Sequence, residues 1–92
     1  MVIAKELDNP DDPCWEPLRL VLGPLTVPDF MFMGKAGTVL APSPIYLYKN
    51  RFSRRYLCLD ENGGAYFIES ERSGRKSYVP VLQISALRRV FS

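Results

Sequence analysis

Apolar positions in this chain come in short runs, many with an apolar residue at every second position, and proline or glycine breaks most of them. Such runs predict strands joined by tight corners. Residues 2–7 read as a first strand. The DNPDDP stretch that follows reads as a loop, since its acids and prolines continue neither a helix nor a central strand. In WEPLRLVLGP the alternation of Leu18, Leu20 and Leu22 favours a strand over residues 17–22. Pro17 and Gly23 frame the same residues as a short helix, but a helix this short forms poorly in isolation.

Phe30, Met31, Phe32 and Met33 follow, apolar on both faces of any strand they form. Such a strand is central or is covered by a partner. Gly34 and Gly37 are placed to allow a bulge. After a PSP break, IYLY is another strand.

The clearest element is a hairpin, with RRYLCL and AYFIES flanking DENGG. Asn-Gly favours a two-residue type I′ turn because both central residues need positive φ. A tip at Asn62-Gly63 pairs Leu59 with Tyr66, Leu57 with Ile68 and Arg55 with Ser70, gathering the more apolar face. KSYVPVLQI completes a three-stranded meander over 54–84, with Pro80 marking an edge or a strand end. The tail over 85–91 fits either a turn and a strand or a short helix with Ile84, Leu87 and Phe91 on one face. The expected fold is mainly β: a small antiparallel roll or partly open barrel of six to seven short strands, with at most one or two short helices.

The rhythm from Phe52 to Val90 is similar to the first half of a pleckstrin-homology domain. Tyr78-Val79-Pro80 looks like the end of a Src-homology-3 barrel. The two likenesses exclude each other, and no residue role is carried over from either.

Composition narrows the chemistry. The 92 residues make a single domain, headed by an acidic, proline-containing segment over 1–16. Hydrophobic residues at 47% against 24% charged exclude a disordered chain. There is no histidine, so a Ser-His-Asp triad and a His-bearing zinc site are both excluded. Cys14 and Cys58 stand far apart and form no metal-type cluster. Two reduced thiols in a cytoplasmic protein are expected. No leader-like or membrane-length apolar run is present. No P-loop spacing occurs, and Asp60 and Glu61 point apart on a strand end. The expectation is a non-enzymatic protein with no cofactor and no metal.

Charge is divided along the chain, net −4 over residues 1–33 and net +6 over 34–92. Antiparallel pairing of the hairpin carries Lys49, Arg51, Arg54, Arg55, Arg72, Arg75 and Lys76 to one end of the sheet, one strand length from Asp60 and Glu61. With Tyr48, Phe52 and Tyr56 nearby, such an end suits nucleic acid or another polyanion. Equally, cations at strand ends solvate a small sheet, and the aromatics can point inward. The acidic first third can also dock on the basic end. The Phe30, Met31, Phe32 and Met33 run, with Trp15, suits burial against another copy of the chain or a different protein. The leading expectation is a homodimeric protein-interaction module. Nucleic-acid or polyanion binding is the alternative.

Overall fold

A computed structural model describes residues 5–6, 13–37, 44–70, 74 and 76–92, the first two by their backbone alone. The strands are β1 (Lys5–Glu6), β2 (Phe30–Gly37), β3 (Ile45–Asn50), β4 (Tyr56–Leu59), β5 (Ala65–Ser70) and β6 (Lys76–Val81). They form one antiparallel sheet in simple sequence order. Two helices, α1 (Glu16–Leu22) and α2 (Gln83–Val90), complete the fold with a single 3-10 turn at Val27–Asp29. The expected mainly β, partly open roll is what the chain adopts. Its sheet has five full strands and a two-residue β1, rather than six to seven strands, because 17–22 and most of 85–91 are helical. No helix among the described residues is long and apolar enough to cross a membrane.

The helix at 17–22 replaces the expected strand for local reasons. Pro17 sits in the first turn, where its missing N–H is harmless. Gly23 takes φ 83° and its N–H donates to the Arg19 carbonyl at 2.8 Å, closing the last turn. Leu18 is fully buried while Val21 and Leu22, three and four residues on, pack against the same core. Leu20 is left 65% exposed. On α2 the inward positions are Ala86 and Val90, with Leu87 partly buried. The alternative face expected for this helix does not hold, since Ile84 and Phe91 stay largely exposed.

Both helices cover one face of the sheet. There Phe30, Tyr48, Leu57, Leu59 and Ala65 meet Leu18, Ala86 and Val90 in the main core. Ala36, Ile45, Cys58 and Tyr78 form a smaller cluster with Leu47, Tyr66 and Ile68. The register puts that cluster on the opposite face, because Cys58 stands between Leu57 and Leu59 on β4. A bulge between Phe32 and Gly34 shifts the β2–β3 register, and Gly34 takes φ 111° there.

The hairpin reverses one position away from the expected place. Leu59 pairs with Ala65 and Cys58 with Tyr66, so Leu59–Tyr66 and Leu57–Ile68 are not partners. The Asp60 N–H donates to the Gly64 carbonyl and the Gly63 N–H to the Asp60 carbonyl. Glu61, Asn62 and Gly63 therefore make a three-residue loop in which only Gly63, at φ 85°, needs positive φ. The Asp60 carboxylate locks it, accepting the N–H groups of Asn62 and Gly64 and the Tyr66 hydroxyl, each at 2.9 Å. That side-chain grip favours the longer loop over a type I′ turn.

Candidate polyanion-binding end of the sheet

The β3–β4 connection is built around Asn50, which is 3% exposed. Its side-chain oxygen accepts the N–H groups of Phe52 and Ser53, both at 2.9 Å. Its own N–H donates to the Arg55 carbonyl, and its carbonyl accepts the Arg54 N–H at 3.0 Å. The loop is fixed from two sides as well. Arg51 donates its N–H to the Asp29 carbonyl and its Nε–H to the Pro28 carbonyl. The Ser53 hydroxyl donates to the Val90 carbonyl at the end of α2. Arg54 takes φ 64°, the one positive-φ position among the described residues that is not glycine.

This fixed turn presents Phe52 at 76% exposure, flanked by exposed Arg51, Arg54 and Arg55. Tyr56, 40% exposed, carries the Lys49 ammonium 5.7 Å from its ring centre. Lys76 pairs with Ser70 at the same end of β5 and β6. Arg72 and Arg75 lie outside the described residues. Among the described residues the only acid–base ion pair joins Arg19 to Glu16 on α1. Arg54, Arg55 and Lys76 thus have no carboxylate partner among the described residues.

Two cations missed in the chain reading join this end. The helix α2 starts beside the hairpin tip, where the Gln83 amide donates to the Gly63 carbonyl at 3.1 Å. It ends against the Asn50 loop through Ser53 and Val90. Arg88 and Arg89, in its last turn, are carried to the basic pole. Arg89 sits over the Phe67 ring, 4.9 Å from its centre. The only trace of this in the chain was the helical option left open for 85–91.

Aromatic residues divide between the two roles. Tyr48 is fully buried, and its hydroxyl donates to the Cys14 carbonyl at 2.6 Å. Burial raises its phenol above the ordinary range. Trp15 stacks on Tyr48 at 5.8 Å and meets Phe32 edge-on at 6.0 Å, forming a lid on the main core. Phe30 is 1% exposed and meets Phe91 edge-on. Met31 is half-buried. Met33, beside the bulge, is 41% exposed. The four-residue run is therefore split between interior and surface.

Cys58 lies in the smaller cluster, 1% exposed, and burial pushes its thiol up to about 12. It stays a protonated thiol near neutral pH, unsuited to nucleophilic attack. Both cysteines are free. Among the described residues no group of three or more His, Cys, Asp or Glu is placed to hold a metal ion.

Comparison with protein-family models, curated proteins and solved structures finds no match to this chain, and neither likeness noted in its rhythm gains support.

Proposed function

We propose that this chain is a non-enzymatic binding module of the reducing cytoplasm that grips single-stranded nucleic acid with its basic pole. The observation that carries this reading is the Asn50 turn. It is pinned by hydrogen bonds, it holds a large aromatic ring in water, and it surrounds that ring with arginines that have no carboxylate partner among the described residues. A solvating role for the cations gives no reason to expose Phe52. A single-strand binder needs this combination, with backbone charge neutralised by cations and a base stacked on an aromatic face. The two free cysteines suit a reducing compartment.

Fluorescence anisotropy with a labelled single-stranded oligonucleotide at 50 and 200 mM salt tests the reading. With about four phosphate contacts, affinity is expected to fall roughly 50-fold across that range. Phe52→Ala is expected to weaken binding by about 1–3 kcal/mol, the contribution of one stacked base. Absence of binding at 50 mM salt sinks the reading, as does binding only to vesicles containing anionic lipid.

A second reading, a protein partner or a homodimer, is favoured by a separate observation at the opposite pole. Leu20, Leu82 and Ile84 are 65%, 72% and 55% exposed. Leu20 lies at the hairpin tip, where Gly63 faces Leu20, Val21 and Gln83, and Leu82 and Ile84 are the chain neighbours of Gln83. The apolar surface for a partner is then here rather than along Phe30, Met31, Phe32 and Met33, of which Met33 alone is exposed, at 41%. Light scattering tests the dimer. A two-fold mass that reverts to a monomer in an Ile84→Glu variant supports it, and a monomer at high concentration removes it.

A further inference from the structure

The ladder between β4 and β5 has two rungs, Cys58–Tyr66 and Leu59–Ala65, whereas β5 and β6 pair along six. Past Cys58, towards the basic pole, the two strands part. The gap is a cleft of about 250 Å³. Phe67 and Arg89 border it on the helix side, and Tyr56, Cys58, Tyr66 and Ile68 on the other. Arg55 stands at its basic end.

The lining combines two kinds of group. Arg55 and Arg89 are guanidiniums with no carboxylate partner among the described residues. Tyr56, Tyr66 and Phe67 supply aromatic surface. Two of these side chains are held in place: Tyr66 by its hydroxyl bond to Asp60, and Arg89 by stacking on Phe67. A bare anion would leave the aromatic surface unused, and a neutral ring would leave the cations unused. The volume lies just below the usual range for ligand sites, roughly 300–1,000 Å³, and suits one ring system with its acid group.

We propose that the cleft between β4 and β5 receives one nucleoside monophosphate unit, free or within a strand, with its base among Tyr56, Tyr66 and Phe67 and its phosphate against Arg55 and Arg89. The inference rests on the nucleic-acid reading for the strand-borne case. Guanidinium forks match phosphate oxygens in pairs, and planar bases stack on aromatic faces. A continuous path then runs from Phe52 on the turn, past Arg55, into the sheet.

Amide NMR titration of the full chain with a nucleoside 5′-monophosphate, the matching nucleoside, inorganic phosphate and a single-stranded oligonucleotide tests it. The amides of Cys58, Tyr66 and Ile68 report on the cleft, and those of Phe52 and Ser53 on the turn. The monophosphate is expected to saturate the cleft amides at a concentration about tenfold below that of either fragment, the equivalent of one charge-assisted contact. Arg55→Gln, at an exposed position that leaves the core intact, is expected to remove that preference for the monophosphate over the nucleoside. Arg89→Gln is expected to do the same if its spectrum stays dispersed. Equal response to inorganic phosphate overturns the proposal by reducing the cleft to an anion site. If the oligonucleotide moves Phe52 and Ser53 while neither it nor the monophosphate moves the cleft, the inference fails and the surface reading stands. If the monophosphate fills the cleft but the oligonucleotide leaves the turn unmoved, the cleft holds and the strand-binding reading fails.

Discussion

At the scale of single residues, Arg54 separates stability from binding. Its left-handed backbone, φ 64°, costs an L-residue about 1–2 kcal/mol. Glycine would relieve that cost while losing about 0.5–1 kcal/mol of its own in chain entropy. Arg54→Gly is therefore expected to stabilise the fold by about 0.5–1 kcal/mol in urea unfolding and to weaken oligonucleotide binding. A purely solvating arginine would show the first effect without the second. Strain retained at an exposed cation is what a working site tolerates. Asn50, buried beneath it, was legible in the chain only as part of a polar connection. Its role depends on two N–H groups that the turn brings within 2.9 Å of its side-chain oxygen.

At the scale of elements, the hairpin was legible and its register was not. Leu57, Cys58 and Leu59 are all apolar, and all three are buried. Sliding the pairing by one residue therefore exposes nothing on β4, and the usual penalty that sets register is missing. The loop chemistry decided instead, through Asp60 and the single positive φ at Gly63. Gly63→Ala is expected to destabilise the fold by about 1–2 kcal/mol in urea unfolding, from the left-handed backbone alone. A new Cβ would also lie 3.3 Å from Val21 and 3.4 Å from Leu20, tightening a contact that α1 needs. Asn62→Ala tests the turn itself. It should cost little in a three-residue loop, whereas a type I′ turn would need Asn62 at positive φ. The first helix was hidden for a related reason, whereas a helix over 85–91 was one of the two options the tail left open. Leu18 and Leu22 are spaced alike for a strand and for a helix, and Val21 on the core side with Leu20 left in water separates the two periods.

At the scale of the whole molecule, the two faces of the sheet carry buried groups that hold their protons more tightly when folded. Cys58 moves from the ordinary 9.0 to about 12, through burial. Tyr48 moves upward from 10.0, chiefly through burial and then through its proximity to Cys14. Each favours folding below its unfolded value, and the gain is lost as pH rises towards the folded value. Unfolding free energy is expected to decline from about pH 9 upward. Cys58→Ala should lower the baseline and flatten the window between about 9 and 10, below the onset of tyrosine ionisation. An unchanged slope in that variant would mean that Cys58 is not held as a buried thiol.

Antiparallel pairing also separates the molecule into a basic pole and a tip that bears Asp60 and Glu61, with α2 spanning the distance between them. By itself the chain determined the mainly β class, the meander over 54–84 and the gathering of Lys49, Arg51, Arg54, Arg55 and Lys76 at one end. Alternation, turn residues and the two-fold reversal of a hairpin are local properties. Only the tertiary structure decided that Tyr48 turns inward while Phe52 faces water, that Arg89 joins the pole, and that β4 and β5 part to leave a cleft. Those outcomes depend on which face the helices cover and where a ladder stops. They are set by packing between segments far apart in sequence, which no local pattern encodes.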